Sequence, residues 1–398
     1  MTVGLLLGEL SSVGVAPAGG FTRLAWTDAD AQCREWFVQN ANARGLDVEI
    51  DRNGNLWAWL HQHAPGKALV VGSHLDSVPN GGAFDGPLGL ASAFAALDLL
   101  DDEGFTPSRP LAIVAFADEE GSRFGVACAG SRLMTGSLDP DRFRALTDND
   151  GVTAADAMRA AGFDARSAGA DSERLSRIGA YLELHVEQGH LTTSAGVDGL
   201  TEDAPLGLAT EIWPHGRWRV DLLGQQNHAG TTRLSDRRDP MLALAGVILE
   251  VRRAAEANGV LATVGKVRVS PGAVNAIPGA ASAWIDARGD AEARVRSAIA
   301  QLEHESDLVA IEESWTSATV FDERFTESLA SAIGRELPRL PSGAGHDAGV
   351  LALAGIPSAM ILVRNPSGIS HAPEEFAEED DVERGVVALA AAIRSRLA

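Results

Sequence analysis

The sequence predicts an α/β fold: a mostly parallel central sheet with flanking helices, interrupted by an inserted α+β unit. Three observations carry that prediction. Ala68 to Ser73 (ALVVGS), Leu111 to Ala117 (LAIVAFA) and Ala359 to Val363 (AMILV) are short continuous apolar runs, as expected of strands buried on both faces. Gly89 to Leu100, rich in Ala and Leu, lies between the first two, and strand, helix, strand at this spacing argues for parallel pairing. From about Ile212 the texture changes to alternating strands and longer amphipathic helices, and the first pattern resumes near the C-terminus. With 398 residues, two domains are expected. The sequence divides into a discontinuous domain, 1–211 with 322–398, and an inserted domain, 212–321.

Asp28 to Gly45 carries apolar positions at helical spacing, and Val48 to Leu60 alternates as a hairpin before the turn at Pro65-Gly66. A third buried strand, Ala180 to His185 (AYLELH), runs into Val186-Glu187-Gln188-Gly189. In the insertion, Arg217 to Leu223 is an alternating strand, Asp239 to Asn258 a long helix, Ala262 to Arg288 paired strands, Ala291 to Glu305 a helix, and Val309 to Ser314 a strand. Phe325 to Leu337 is predicted as a helix of the returning domain.

Lys plus Arg number 33 against 55 Asp plus Glu, a formal net charge of −22 that disfavours nucleic acid and anionic membranes as partners. Only Cys33 and Cys128 are present, far apart and without a CxxC partner, so neither a disulfide framework nor a thiolate metal site is expected, and a cytoplasmic location fits. Met1 to Gly20 has no basic lead-in and no run long enough to span a bilayer, so it reads as neither signal peptide nor anchor.

The chemistry is expected beyond the carboxyl ends of the strands, where open α/β sheets bind ligands. GSHLDSVPNGGAFDG, residues 72–86, sets His74 and Asp76 at a strand end and Asp85 after a glycine-rich turn that can fold back towards them. An imidazole and a carboxylate converging on one point suit a divalent cation, with a second carboxylate orienting the ring. Asp118-Glu119-Glu120 ends the second strand. On its own this would be a solvated turn, but at a strand end one acid can bind metal while its neighbour takes a proton from water. His185 and His371 (GISHAPEE) also follow strands. Together His74, Asp85, Glu120, His185 and His371 make a two-metal set with one shared carboxylate, and without cysteine ligands zinc, manganese, cobalt and nickel all remain open.

The segments GSHLDSVPNGGAFDG, ADEEGSRFG, LELHVEQG, QNHAGTT, NAIPG followed by DAR, SGAGHDAG and GISHAPEE, in that order, resemble the N-carbamoyl-L-amino acid hydrolases and allantoate amidohydrolases. These form the amidohydrolase branch of the di-metal aminoacylase and carboxypeptidase superfamily. The likeness runs from about Phe21 to the C-terminus. It implies a catalytic domain like that of di-zinc peptidases, with two divalent ions per chain. His74, Asp85 and His185 would hold one ion, and Asp85, Glu120 and His371 the other. Glu119 would be the general base and Asp76 would orient His74. Gln188, in the HxEQG form of the carbamoyl-hydrolysing branch, would contact the substrate.

The same resemblance makes the insertion a lid and dimerisation domain. It implies a homodimer with a composite site, in which His228 reaches the partner's substrate to polarise the scissile carbonyl. Asn275 and Arg288 would bind the substrate carboxylate, and His346 would line the pocket. After HAGTT this chain has Arg233-Leu234 where the family commonly has Pro-Met, which leaves the substrate side chain open. The expected activity is hydrolysis of the carbamoyl C–N bond of an N-carbamoyl-L-amino acid or related small ureido acid. Allantoate is the first rival and an aminoacylase or dipeptidase activity the next. A metal-binding scaffold without activity is the rival from another class.

Overall fold

The computed structural model describes residues 1–334 and 336–398. The chain divides into two compact units, Met1–Ile212 with Val320–Ala398, and Trp213–Thr319. Six strands precede the division: β1 (Asp47–Ile50), β2 (Leu56–Leu60), β3 (Ala68–His74), β4 (Leu111–Phe116), β5 (Ile178–Val186) and β6 (Leu206–Ile212). The inserted unit carries β7 (His215–Leu223), β8 (Asn227–His228), β9 (Leu261–Ser270), β10 (Ala276–Ile277), β11 (Ala280–Arg288) and β12 (Ile311–Thr316). The chain then continues through β13 (Thr319–Val320), β14 (Arg339–Ser342) and β15 (Ser358–Val363).

The large sheet runs β1-β2-β4-β3-β5-β15-β6-β13, with β14 against β6. Its four central strands, β4, β3, β5 and β15, are parallel to one another. The hairpin β1–β2, the β2–β4 pair and the β15–β6 pair are antiparallel. The mostly parallel sheet is thus a parallel centre with antiparallel flanks. Leu69 and Val71 of β3 pack on one face with Leu182, Leu184, Phe94 and Leu389. Val70 packs on the other with Trp57, Tyr181, Met360 and Leu351. Burial on both faces is why these strands read as unbroken apolar runs. Parallel pairing of four neighbours also brings their carboxyl ends to one rim.

The helix Pro87–Asp102 starts with Pro at its first position and is buried almost throughout, so it is apolar all round. Glu379–Leu397 packs against it. The helix predicted over Phe325 to Leu337 instead spans Glu323–Ile333. Asp322 caps it by accepting from Phe325 N at 2.6 Å, and Gly334 ends it in the left-handed conformation at φ 71°. Leu337, which extended the apolar pattern, is a core residue beyond the helix on the way to β14. Among the described residues no helix is long and apolar enough to cross a membrane.

Within the inserted unit, β12-β7-β11-β9 form an antiparallel sheet. Ala281, Ala283, Ile285 and Ala287 of β11 alternate into a core with Val247 and Val251 of the helix Pro240–Asn258 and Val295 and Leu302 of the helix Glu292–Ser306. This is the half-buried alternation expected of a sheet covered on one face.

Candidate metal centre

All five candidate metal ligands follow the four central parallel strands. His74 is the last residue of β3, Glu120 comes four residues after β4, His185 lies at the end of β5, and His371 is on the loop after β15. Asp85 returns from the loop between β3 and its helix. That return needs a glycine at position 86. Gly86 has φ 85°, and a Cβ there would stand 2.5 Å from the His74 ring.

Asp85 sits at the centre, and its two oxygens face different partners. Oδ1 lies 3.5 Å from His74 Nε2 and 3.2 Å from His185 Nε2, and Oδ2 lies 3.3 Å from His371 Nε2. His371 Nε2 is also 3.6 Å from Glu120 Oε2. The ligand atoms of His74, Asp85 and His185 fall within 4.8 Å of one another, as do those of Asp85, Glu120 and His371. Two ligands on one tetrahedral ion with bonds of about 2.0–2.1 Å are about 3.3 Å apart, so these spacings already match a coordination shell. Among the described residues, His185 Nε2 and Glu120 Oε1 are buried without a hydrogen bond. Buried polar atoms left in that state require a partner, and a cation supplies one. The donor set therefore fits divalent metal, and Asp85 belongs to both close groups.

The protonation of the cluster has the same physical cause. Burial pushes the Asp85 carboxyl up, but the imidazoles of His185, His371 and His74 outweigh it and hold it well below the usual carboxylate range. Burial pulls the His74 ring down, and Glu119, Asp85 and Asp76 reverse that and raise it well above its ordinary value. His371 is likewise lifted to about 9 by Asp85 and Glu120 against burial. Glu120 is pushed up to about 7 by burial and the Asp85 charge. Carboxylates crowded in a dry place thus retain protons on themselves or on the rings, positions that metal cations displace on binding.

Glu119 is buried beside this set, with Oε2 3.8 Å from His74 Nε2 and Oε1 accepting from the Cys128 thiol at 3.7 Å. Burial raises its carboxyl well above the usual range. The Asp76 carboxylate accepts from the backbone N–H groups of Glu119 and Glu120 at 3.1 Å each. His74 Nδ1 meets the backbone oxygen of Asp76 at 3.0 Å, with the carboxylate at 3.7 Å. Asp76 therefore braces the acid pair as well as the ring. Gln188 donates from Nε2 to Asp85 Oδ2 at 2.8 Å. His346 is buried with its ring 4.6 Å from that of His185, and it lines a small pocket with Gln188, Leu191, Leu340 and Leu362.

Glu183, His185 and His346 form a third close group. Glu183 already accepts from Ser73 Oγ at 2.9 Å, Tyr181 Oη at 3.4 Å and Ala348 N at 3.3 Å, so it underpins β5 from within.

The candidates of the inserted unit are dispersed. His228 and Asn275 are exposed and adjacent: β8 pairs with β10, Ala276 opposite His228, and Ala229 N donates to the Asn275 oxygen at 3.1 Å. Gly230 N donates to His228 Nδ1 at 3.0 Å, which places the proton of the neutral ring on Nε2. Arg288 ends β11 opposite His215, and its Nε donates to Asp286 Oδ1 at 2.9 Å.

Residues 70–395 match peptidase family M20/M25/M40. The chain belongs to this family. It is 34% identical to the N-carbamoyl-L-amino acid amidohydrolase of Geobacillus stearothermophilus over 396 residues, covering 96% of this chain and 94% of that protein. Its identity to the allantoate amidohydrolase of Escherichia coli K12 is also 34%, with the same coverage. An amidase of the hydantoinase/carbamoylase family from Burkholderia vietnamiensis superposes with a TM-score of 0.90 at 29% identity, covering 99% of this chain and 96% of the other. This M20 chain is accordingly a hydrolase of C–N bonds in the amidohydrolase branch of the family.

Two partners of the M20 site were not read from the sequence. Cys128 carries no signal, because a lone thiol without a neighbouring Cys or His matches no pattern. Glu375 stands in the quoted GISHAPEE segment, but the backbone groups of Phe84 and Asp85 that it accepts from lie 291 and 290 residues away and no spacing reveals them.

Proposed function

We propose that this chain hydrolyses the carbamoyl C–N bond of an N-carbamoyl-L-amino acid or a closely related ureido acid, with His74, Asp85 and His185 holding one divalent ion and Asp85, Glu120 and His371 the other. Zinc, manganese, cobalt and nickel suit this nitrogen and oxygen donor set. When bound, such ions polarise a scissile carbonyl and lower the pKa of water towards about 7. Glu119 takes the proton from the attacking water and passes it to the leaving nitrogen, releasing the free amino acid and a carbamate that falls apart to ammonia and carbon dioxide.

The observation that carries the ureido assignment is the state of Gln188. Its amide nitrogen is committed to Asp85 and Ser370, while Oε1 is buried without a hydrogen-bond partner among the described residues. An acceptor in that position calls for an N–H donor. The terminal NH2 of a carbamoyl group supplies one beside the scissile carbonyl, where the acyl group of a peptide has carbon.

The inserted unit is read as lid and dimerisation unit, completing the site of a second copy. The outer face of its helix Pro240–Asn258 exposes Met241, Leu242, Ile248 and Leu249, and β9 is an unpaired sheet edge. Both features support pairing with another copy. Arg288 and the His228–Asn275 pair also lie towards opposite ends of the inserted sheet, separated by the length of β11, roughly 25 Å at about 3.4 Å per residue. That is several times the span of a small ureido acid, which favours Arg288 from one copy and His228 from its partner acting on one substrate. His228, with its proton on Nε2, suits the role of donor to the developing oxyanion.

Side-by-side rates on N-carbamoyl-L-amino acids, allantoate and dipeptides, after reconstitution with single metals, test the reading. Turnover confined to the ureido compounds is expected, with the preferred one naming the substrate. Turnover confined to dipeptides would refute it.

A further inference from the structure

We propose that Glu375 is a positioning residue that ties the Asp85 loop to the loop carrying His371, and so sets the affinity of the ion held by Asp85, Glu120 and His371. The inference rests on reading those three residues as one ion's ligands.

Glu375 is buried at 4% exposure, and each of its carboxylate oxygens holds a different loop. Oε1 accepts from Phe84 N at 3.1 Å and Asp85 N at 2.9 Å. Oε2 accepts from Ser370 Oγ at 2.9 Å, beside His371. Ser370 Oγ in turn accepts from Gln188 Nε2 at 3.2 Å and lies 3.5 Å from Asp85 Oδ2. The fit leaves no slack: a Cβ on Gly82 would stand 2.3 Å from Glu375 Oε1 and 2.5 Å from its Cβ and Cδ. Gly82 is thus a glycine because the carboxylate occupies that space.

The two ions are served by unequal scaffolds. His74 and His185 belong to buried strands, and each ring has its Nδ1 on a backbone oxygen, at 3.0 and 2.9 Å. His371 is on a loop, its side chain 52% exposed, in the left-handed backbone region at φ 57° that non-glycine residues seldom adopt. The neighbouring Ser370–Glu375 hydrogen bond ties that loop to the bridging aspartate. Glu375 belongs to neither ligand triad among the described residues, so its effect passes through Asp85 and His371. Burying another carboxylate beside Asp85 is unfavourable unless several donors compensate, and three do. Partners of this kind, one step out from the ligands, typically change metal affinity by about 10–100-fold.

The experiment titrates metal-free protein with Zn²⁺ or Mn²⁺ by calorimetry and chelator competition, resolving both ions. Glu120→Gln identifies which transition belongs to the His371 side. Glu375→Ala is expected to weaken that ion by about 10–100-fold and the other, which shares Asp85 but takes its histidines from the buried strands, by clearly less. Ser370→Ala, which removes the hydrogen bond to Glu375 together with the one accepted from Gln188 and keeps those from Phe84 and Asp85 to Glu375, should weaken the same ion by about two- to tenfold. Glu375→Gln can still accept from both amides and donate to Ser370, so it should stay close to the parent. Both ions weakened equally, neither weakened, or a Gln variant as weak as Ala would overturn the proposal. Should Glu375→Ala fail to fold, Ser370→Ala decides alone: parental affinity for both ions overturns the tie. A parent protein that binds no ion would instead remove the two-metal reading.

Discussion

The rim of the large sheet and the inserted unit contribute to the proposed chemistry in opposite ways. At the rim, His74, Asp85 and His185 are at most 5% exposed, and their functional atoms converge within a few ångströms. In the inserted unit, His228 and Asn275 lie in solvent and Arg288 is a strand's length from them. A buried cluster of acids and imidazoles has to be neutralised by protons or cations wherever the chain folds, so its purpose shows in a single copy. Exposed side chains are satisfied by water and place no such demand on their surroundings. A metal site therefore declares itself within one chain, whereas a site built to meet another copy does not.

The contrast is tested most severely at Glu119. Glu119→Gln should lower kcat by about 10²–10⁴-fold, the usual contribution of a positioned general base. Its metal content should equal the parent's, because the carboxylate lies beside the ligand set and not in it. Loss of an ion in elemental analysis would make Glu119 a ligand and overturn the division of labour between Glu119 and Glu120.

The inserted unit is tested next, by complementation. His228→Ala alone should cost about 10²–10³-fold in kcat, as for one oxyanion donor. In a mixture with Arg288→Ala, half of randomly assorted dimers are mixed, and in each of these one site receives both intact residues. Activity should then return to about one quarter of the parent. A mixture no more active than its parts would place His228 and Arg288 in the same copy's site and erase the contrast drawn above.

The strands of the rim were legible because β3, β4, β5 and β15 are buried on both faces and read as apolar runs, each ending in its polar cluster. Asp85 was legible too, since the glycines before and after it announce a tight return. The helices Ala129–Thr135, Pro140–Ala145, Ala154–Ala160 and Ser172–Arg177 were not, because six or seven residues are under two turns and show no clear period. The helix Glu379–Leu397 was also missed. It opens with Glu379, Asp380 and Asp381, which resemble a solvated acidic run, although acids in a first turn favour a helix. Gly334 offered a stop signal that the apolar Leu337 masked. For the inserted unit, residue chemistry alone assigned nothing to Arg288 or Asn275. An arginine at a strand end is ordinarily a surface ion pair, and only the family resemblance singled it out.

The Arg288 ion pair gives the finest test of how the inserted unit differs from the rim. Burial raises the Asp286 carboxyl, but Arg288, Arg217 and His215 outweigh it and leave it below its ordinary value. Asp286 is therefore ionised at neutral pH and occupies the guanidinium that the substrate carboxylate would take. At the rim a lost acid leaves buried rings uncompensated, but this pair is about one-quarter exposed on each side, where such bonds contribute at most about 1 kcal/mol. Asp286→Asn should consequently lower KM by no more than about fivefold, with kcat unchanged. Because the depressed carboxyl loses its charge only under acid conditions, the difference from the parent should be flat across neutral pH and vanish as pH falls through the Asp286 titration. A raised KM would mean that Asp286 aims Arg288 at the substrate, and the pair would then be as functionally organised as the rim despite its exposure.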